Sequence, residues 1–162
     1  MSTEQLLARY LSVPDAVESA LSGLADAMLN ISRAPGAWTI RQIVHHIVDA
    51  DDMTKGIIKA ALGQSGCVYR LDWYDPGNRW AQTLEYARRP VAPALALLRA
   101  NHRQLEDLLR HLPDGWERFG VIKRDASAPE NKITVAQLME KQTAHALHHI
   151  QQIAMTRHMN GL

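Results

Sequence analysis

Four of the eight histidines in this 162-residue sequence, His46, His102, His145 and His149, fall where a helix of a soluble protein places apolar side chains. Ile43, Ile47, Ala50 and Ile57 recur at helical spacing, and His46 lies three residues after Ile43 and four before Ala50, so its imidazole points inward. Near the C-terminus a second stripe opens with Val135 and Leu138 and resumes at Ile153, interrupted by Gln142, His145 and His149. A polar group in a core stripe must be satisfied by something. Residues four apart bring their β-carbons within about 5–6 Å, which lets two imidazoles converge on one ion at about 2.0–2.1 Å. Cys67 is the sole cysteine, so an intrachain disulfide and a cysteine cage are both excluded. His46, His145 and His149 are therefore the candidate metal ligands, one divalent ion per chain.

Three protein ligands leave a tetrahedral ion one open position, the arrangement of catalytic rather than structural zinc. A water or a thiol entering there loses its proton near neutral pH. Ala146 follows His145, so the His-Glu-x-x-His pattern of zinc proteases does not apply. Imidazole suits Zn, Ni, Cu and Fe alike.

Other polar residues carry two readings each. His45 is turned about 100° from His46 and reads as a surface residue or one supporting a ligand; His148 faces away from the pair. His102 falls in an apolar stripe between Leu98 and Leu105, as an alternative ligand or a supporting group. Asp49, one turn beyond His46, either orients an imidazole or is an ordinary solvated helix residue. Gln142 contacts a ligand or makes a core hydrogen bond. Cys67 is a candidate nucleophile without a basic partner near it in sequence. Spacing identifies no general base.

These side chains need helices to position them. A first helical region is predicted over roughly 4–31, broken or restarted near Pro14, with Val17, Leu21, Leu24 and Met28 at helical spacing. A second, at about 40–62, opens on Thr39 with Gln42 three residues later, and a fourth, opening on Thr134 with Gln137, runs to about 158; both starts are capping boxes. Leu95, Leu98, Leu105 and Leu109 mark a third helix from Val91 to Leu112, stopped by Pro113. Residues 63–90 form a long connection holding five of the nine aromatics, Tyr69, Trp73, Tyr74, Trp80 and Tyr86, which either cover one side of the bundle or rim a pocket. A second connection, 114–132, carries a short strand around Phe119 to Ile122.

Apolar residues make up 46% and charged residues 22%, the balance of one globular domain spanning 1–162. Eighteen basic residues oppose seventeen acidic ones, which leaves no electrostatic footprint for nucleic acid. No apolar run approaches the ~20 residues that cross a bilayer, and MSTEQLLARY lacks a basic region followed by an apolar stretch. The expected location is cytoplasmic, with no membrane partner.

The segments Trp38-Thr-Ile-Arg-Gln-Ile-Val-His-His-Ile-Val-Asp49 and His145-Ala-Leu-His-His-Ile-Gln-Gln-Ile153 resemble the DinB superfamily, particularly its YfiT-like branch, as do Tyr74-Asp-Pro-Gly-Asn-Arg-Trp80, Pro90 and Leu95-Ala-Leu-Leu98. The resemblance spans nearly the whole chain. It implies an all-α fold, a four-helix bundle with a long crossover between helices 2 and 3, and a divalent ion, zinc or nickel first, on His46, His145 and His149. Members include thiol-dependent transferases and isomerases and many proteins named only as metal-dependent hydrolases, so fold does not fix the reaction. The resemblance allows a homodimer. The leading expectation is an enzyme whose three-histidine site activates a low-molecular-weight thiol or water for attack on an electrophilic small molecule. Its rival is a non-catalytic metal- or ligand-binding stress protein.

Overall fold

Reciprocal caps explain where the long helices begin. In the computed structural model, which describes residues 1–124 and 131–162, the Thr39 hydroxyl accepts from the Gln42 amide nitrogen (3.2 Å) and Gln42 Oε1 accepts from Thr39 N (2.9 Å). This starts α3, Ile40–Gly63. Thr134 and Gln137 repeat the exchange at the start of the last helix, Val135–Asn160, which Gly161 ends with φ +66°, a left-handed conformation natural to glycine. Both starts lie where the sequence places them.

The N-terminal region is shorter than expected. It divides into α1, Thr3–Leu11, and α2, Val13–Leu21, with Pro14 in the first turn of the second helix. The chain then leaves through Gly23 (φ +79°), and Asp26–Asn30 forms a 3-10 turn instead of continued α-helix. Met28, counted in the expected stripe, is 37% exposed. Arg41 ties this turn to α3 by donating to Asn30 Oδ1 (2.9 Å) and the Asp26 carbonyl (2.9 Å).

The connection after α3 is built rather than irregular. It holds β1, Cys67–Arg70, and a short α4, Asn78–Thr83, before α5, Val91–His111. Two further strands, β2, Phe119–Lys123, and β3, Asn131–Thr134, precede α6, Val135–Asn160. β1 pairs in parallel with β2, Cys67 opposite Gly120; β2 pairs antiparallel with β3, Gly120 opposite Ile133. The strand expected around Phe119 is therefore the centre of a three-stranded sheet. The stretch 125–130 of that second connection lies outside the described residues.

The bundle has four members: α3, α5, α6, and the broken α1–α2 pair. α3 packs on α5 and α6, and α1 and α2 pack across the same two helices. One apolar cluster gathers Tyr10, Ile58, Leu105 and Met139; the other gathers Val17, Ile40, Ile47, Leu98 and Ile153. Side chains of this kind each stabilise the fold by about 1.5–3 kcal/mol when fully buried. No helix among the described residues is long and apolar enough to cross a membrane.

A polar network sits inside the bundle between α1, α3 and α5. His102 places Nδ1 2.9 Å from the Tyr10 carbonyl oxygen and Nε2 3.0 Å from Asp51 Oδ1. Asp51 also accepts from the Tyr10 hydroxyl (3.1 Å) and from Asn101 Nδ2 (3.3 Å), and all four residues are buried. Both ring nitrogens of His102 are thus occupied by acceptors, which takes it out of the set of metal ligands.

Candidate metal centre

α3 and α6 lie side by side, and each turns one face of its histidines to the other. His46 Nε2 stands 3.1 Å from His145 Nε2, which stands 3.1 Å from His149 Nε2. All three ring nitrogens lie within 4.8 Å of one another. The ring planes cross at 67°, 79° and 76°, so the imidazoles meet by their edges instead of stacking. Three nitrogens bound tetrahedrally at about 2.0–2.1 Å would lie about 3.3–3.4 Å apart, close to the separations seen.

The site's electrostatics favour lone pairs over protons. Burial, followed by the neighbouring His149 and His145 rings, pushes His46 down from 6.5 to about 3. Burial, followed by His149 and His148, takes His145 down to about 4. Burial lowers His149 as well, opposed by its bond to Gln152. Three neutral rings whose Nε2 atoms face one point have too few protons there to pair them all, and a cation satisfies that arrangement. The residues present fit a divalent ion.

Supporting contacts are uneven. His149 Nδ1 donates to Gln152 Oε1 (3.0 Å), and Gln152 Nε2 donates to His148 Nε2 (3.0 Å). This fixes the tautomer that leaves the His149 Nε2 lone pair toward the centre. Sequence reading missed Gln152; its spacing of three from His149 and four from His148 is the available signal. His145 Nδ1 is buried with no hydrogen-bond partner among the described residues. Trp38 packs edge-on against His46, with centroids 4.7 Å apart.

Two expectations on α3 need correction. His45 is not at the surface: it is 1% exposed and donates through Nε2 to the Arg89 carbonyl (3.1 Å). Asp49 is not simply solvated and has no site imidazole among its hydrogen-bond partners; it accepts from Trp80 Nε1 (3.1 Å) and from the Tyr86 hydroxyl. The reason is the crossover, whose α4 and following turn cover the side of α3 that periodicity marks as polar. Cys67 is half-buried on β1.

Beside the triad lies a cavity of about 280 Å³. His46 and His145 form part of its wall, and the apolar lining includes Met53, Ile57, Leu71 and Leu138. Of the crossover aromatics Tyr74 lines it, whereas Trp80 and Tyr86 are bound to Asp49 and Trp73 is 57% exposed. Burial and the Asp49 charge push the Tyr74 phenol up to about 12. Gln142, 6% exposed, also lines the cavity; its Oε1 accepts from the Thr54 hydroxyl (3.3 Å) while Nε2 has no partner among the described residues.

Comparison with known proteins agrees with this architecture. A relative in Geobacillus thermodenitrificans, named "Putative metal-dependent hydrolase", is 26% identical over 158 residues, covering 98% of this chain and 85% of its own. The Bacillus subtilis protein of the same description, YfiT, is 29% identical over 143 residues, covering 87% and 76%. The solved structure of YfiT, described as an unusual four-helix bundle topology, superposes with a TM-score of 0.85 at 24% identity, covering 99% of this chain and 90% of that one. The family model described as the DinB superfamily matches residues 9–153; with that match and the shared bundle beneath it, this chain belongs to the DinB superfamily.

Proposed function

We propose that His46, His145 and His149 hold one divalent ion, zinc or nickel, and that the protein is a metal-dependent enzyme acting on an electrophilic small molecule in the adjoining cavity. The observation that carries this reading is the convergence of three neutral imidazoles at the wall of an apolar pocket. The names of the relatives as metal-dependent hydrolases support its coarser half. When bound, the ion supplies a positive charge that makes a water or a thiol nucleophilic near neutral pH.

The chain's own residues favour a thiol over water. Among the described residues that line the cavity there is no carboxylate, and hydrolysis needs a base to take the second proton from water, whereas a thiol has only one to lose. Tyr74, held protonated, serves as a hydrogen-bond donor rather than as that base. The apolar walls exclude bulk water and orient an apolar electrophile toward the histidines.

The test is a panel of activated esters and amides, and of chlorinated aromatics and epoxides with several small thiols. Each is run with metal-loaded protein, chelated protein and His149→Ala. The loaded protein should exceed both controls by more than about 100-fold on at least one thiol reaction, above the range for losing merely supporting groups. Equal rates in all three would remove the enzyme reading and leave a metal- or ligand-binding protein.

A further inference from the structure

The cavity is apolar along its walls, yet the charged side chains among its described lining residues are of one sign. Arg124 and Lys141 are the charged side chains, apart from the histidines, among the described residues that line it, and both are solvent-exposed, which places them at the opening. Arg124 is near enough to act on the Tyr74 phenol, lowering its pKa against the larger effect of burial. No ion pair of either cation occurs among the described residues. Deeper in, the Gln142 amide is fixed by Thr54 with its nitrogen left over. A buried donor without an acceptor costs about 1–3 kcal/mol, a cost that an oxygen on a bound molecule removes.

We propose that the cavity takes a small molecule with an apolar body and a carboxylate end, the carboxylate seated between Arg124 and Lys141 at the mouth and the body against Met53, Ile57, Leu71 and Leu138. An acceptor oxygen along the body meets Gln142 Nε2 beside His145. The volume of about 280 Å³ sits at the lower end of ligand pockets and suits a compact aryl or alkyl acid. The assignment rests on the proposed function only for the position of the reacting end; the anionic preference belongs to the mouth and does not depend on the ion.

The probes are 4-phenylbutyrate, 4-phenylbutanol and 4-phenylbutylamine, with dissociation constants measured by titration calorimetry on zinc-loaded and chelated protein. The acid should bind about five- to tenfold more tightly than the alcohol, as two partly screened cations allow, and the amine most weakly. The order should be the same with and without zinc. Arg124→Gln with Lys141→Gln should remove the preference, and Arg124→Glu with Lys141→Glu should turn it toward the amine, with unchanged circular dichroism. Equal binding of the three probes, a preference surviving the double glutamine variant, or one lost on chelation would overturn the proposal. The last outcome would mean that the acid binds the ion itself. Turnover is not read here, so failure of this proposal and failure of the enzyme reading are separable.

Discussion

Alanine at His46, His145 or His149 is expected to cost the chain its divalent ion, in a graded series that geometry orders. The intact chain should bind about one zinc or nickel per molecule, and each of these three variants should weaken binding by well over the roughly 10–100-fold that loss of a supporting group costs. Gln152→Ala belongs within that 10–100-fold range, because it releases the His149 Nδ1 proton from its acceptor. His45→Ala and His148→Ala should retain the ion, since His45 Nε2 is committed to the Arg89 carbonyl and the His148 hydrogen bond goes to Gln152 rather than to the converging nitrogens. Direct metal analysis after dialysis, with competition by a chromophoric chelator, reads the whole series. Full occupancy in His149→Ala would show that the facing of α6 is misread.

The same rings set a pH dependence. Folded, His46 and His145 stay neutral down to about 3 and 4, whereas in the unfolded chain each takes a proton near 6.5. As pH falls below 6.5 the unfolded state binds more protons than the folded one, so stability declines through that window toward the folded values. The metal-free protein should therefore lose melting temperature progressively between pH 6.5 and 4, and His46→Ala should show a shallower decline. The opposite slope would contradict the burial of neutral rings.

Asp51→Ala is expected to destabilise the fold by about 3–5 kcal/mol, because it removes the shared hydrogen-bond partner of the buried Tyr10, Asn101 and His102 side chains, each worth about 1–3 kcal/mol when left unsatisfied. For a chain of this size that corresponds to roughly 6–20 °C in the thermal midpoint. His102 presents Nδ1 to a carbonyl and Nε2 to the Asp51 carboxylate, so the carboxylate holds the ring in place on one side and the Tyr10 carbonyl on the other. The His102 and Asp51 side chains are 3% and 1% exposed. Removing the carboxylate leaves the His102 Nε2 and the Tyr10 hydroxyl without their shared partner in a buried site. Removing His102 together with Asp51 should cost less than the sum of the single changes, as a double-mutant cycle by chemical denaturation would show. Additivity would mean that the pair is not coupled.

The long helices and the converging histidines were legible because both depend on local spacing. Thr39 with Gln42 and Thr134 with Gln137 announce helix starts within four residues, and an inward face follows from period 3.6 once the start is known. What was not legible depends on contacts distant in sequence. β1 finds its partner at β2, some fifty residues away, and neither Cys67–Arg70 nor Asn131–Thr134 has the length to signal a strand alone. His45 and Asp49 lie on a face that is polar by pattern but covered by the crossover through Arg89, Trp80 and Tyr86. The expected extension of the first helix to residue 31 failed because Leu24 and Met28 keep helical spacing, while Gly23 turns the backbone to positive φ before them.

Histidine coordination of the ion is tested most directly by X-ray absorption at the metal edge of the zinc-loaded protein. Three nitrogen scatterers at about 2.0–2.1 Å with the outer-shell pattern of imidazole, and one further light atom, are the expected result; the imidazole pattern should weaken in His145→Ala. A sulfur scatterer, a six-oxygen shell, or an imidazole count unchanged in His145→Ala would contradict a centre built on His46, His145 and His149.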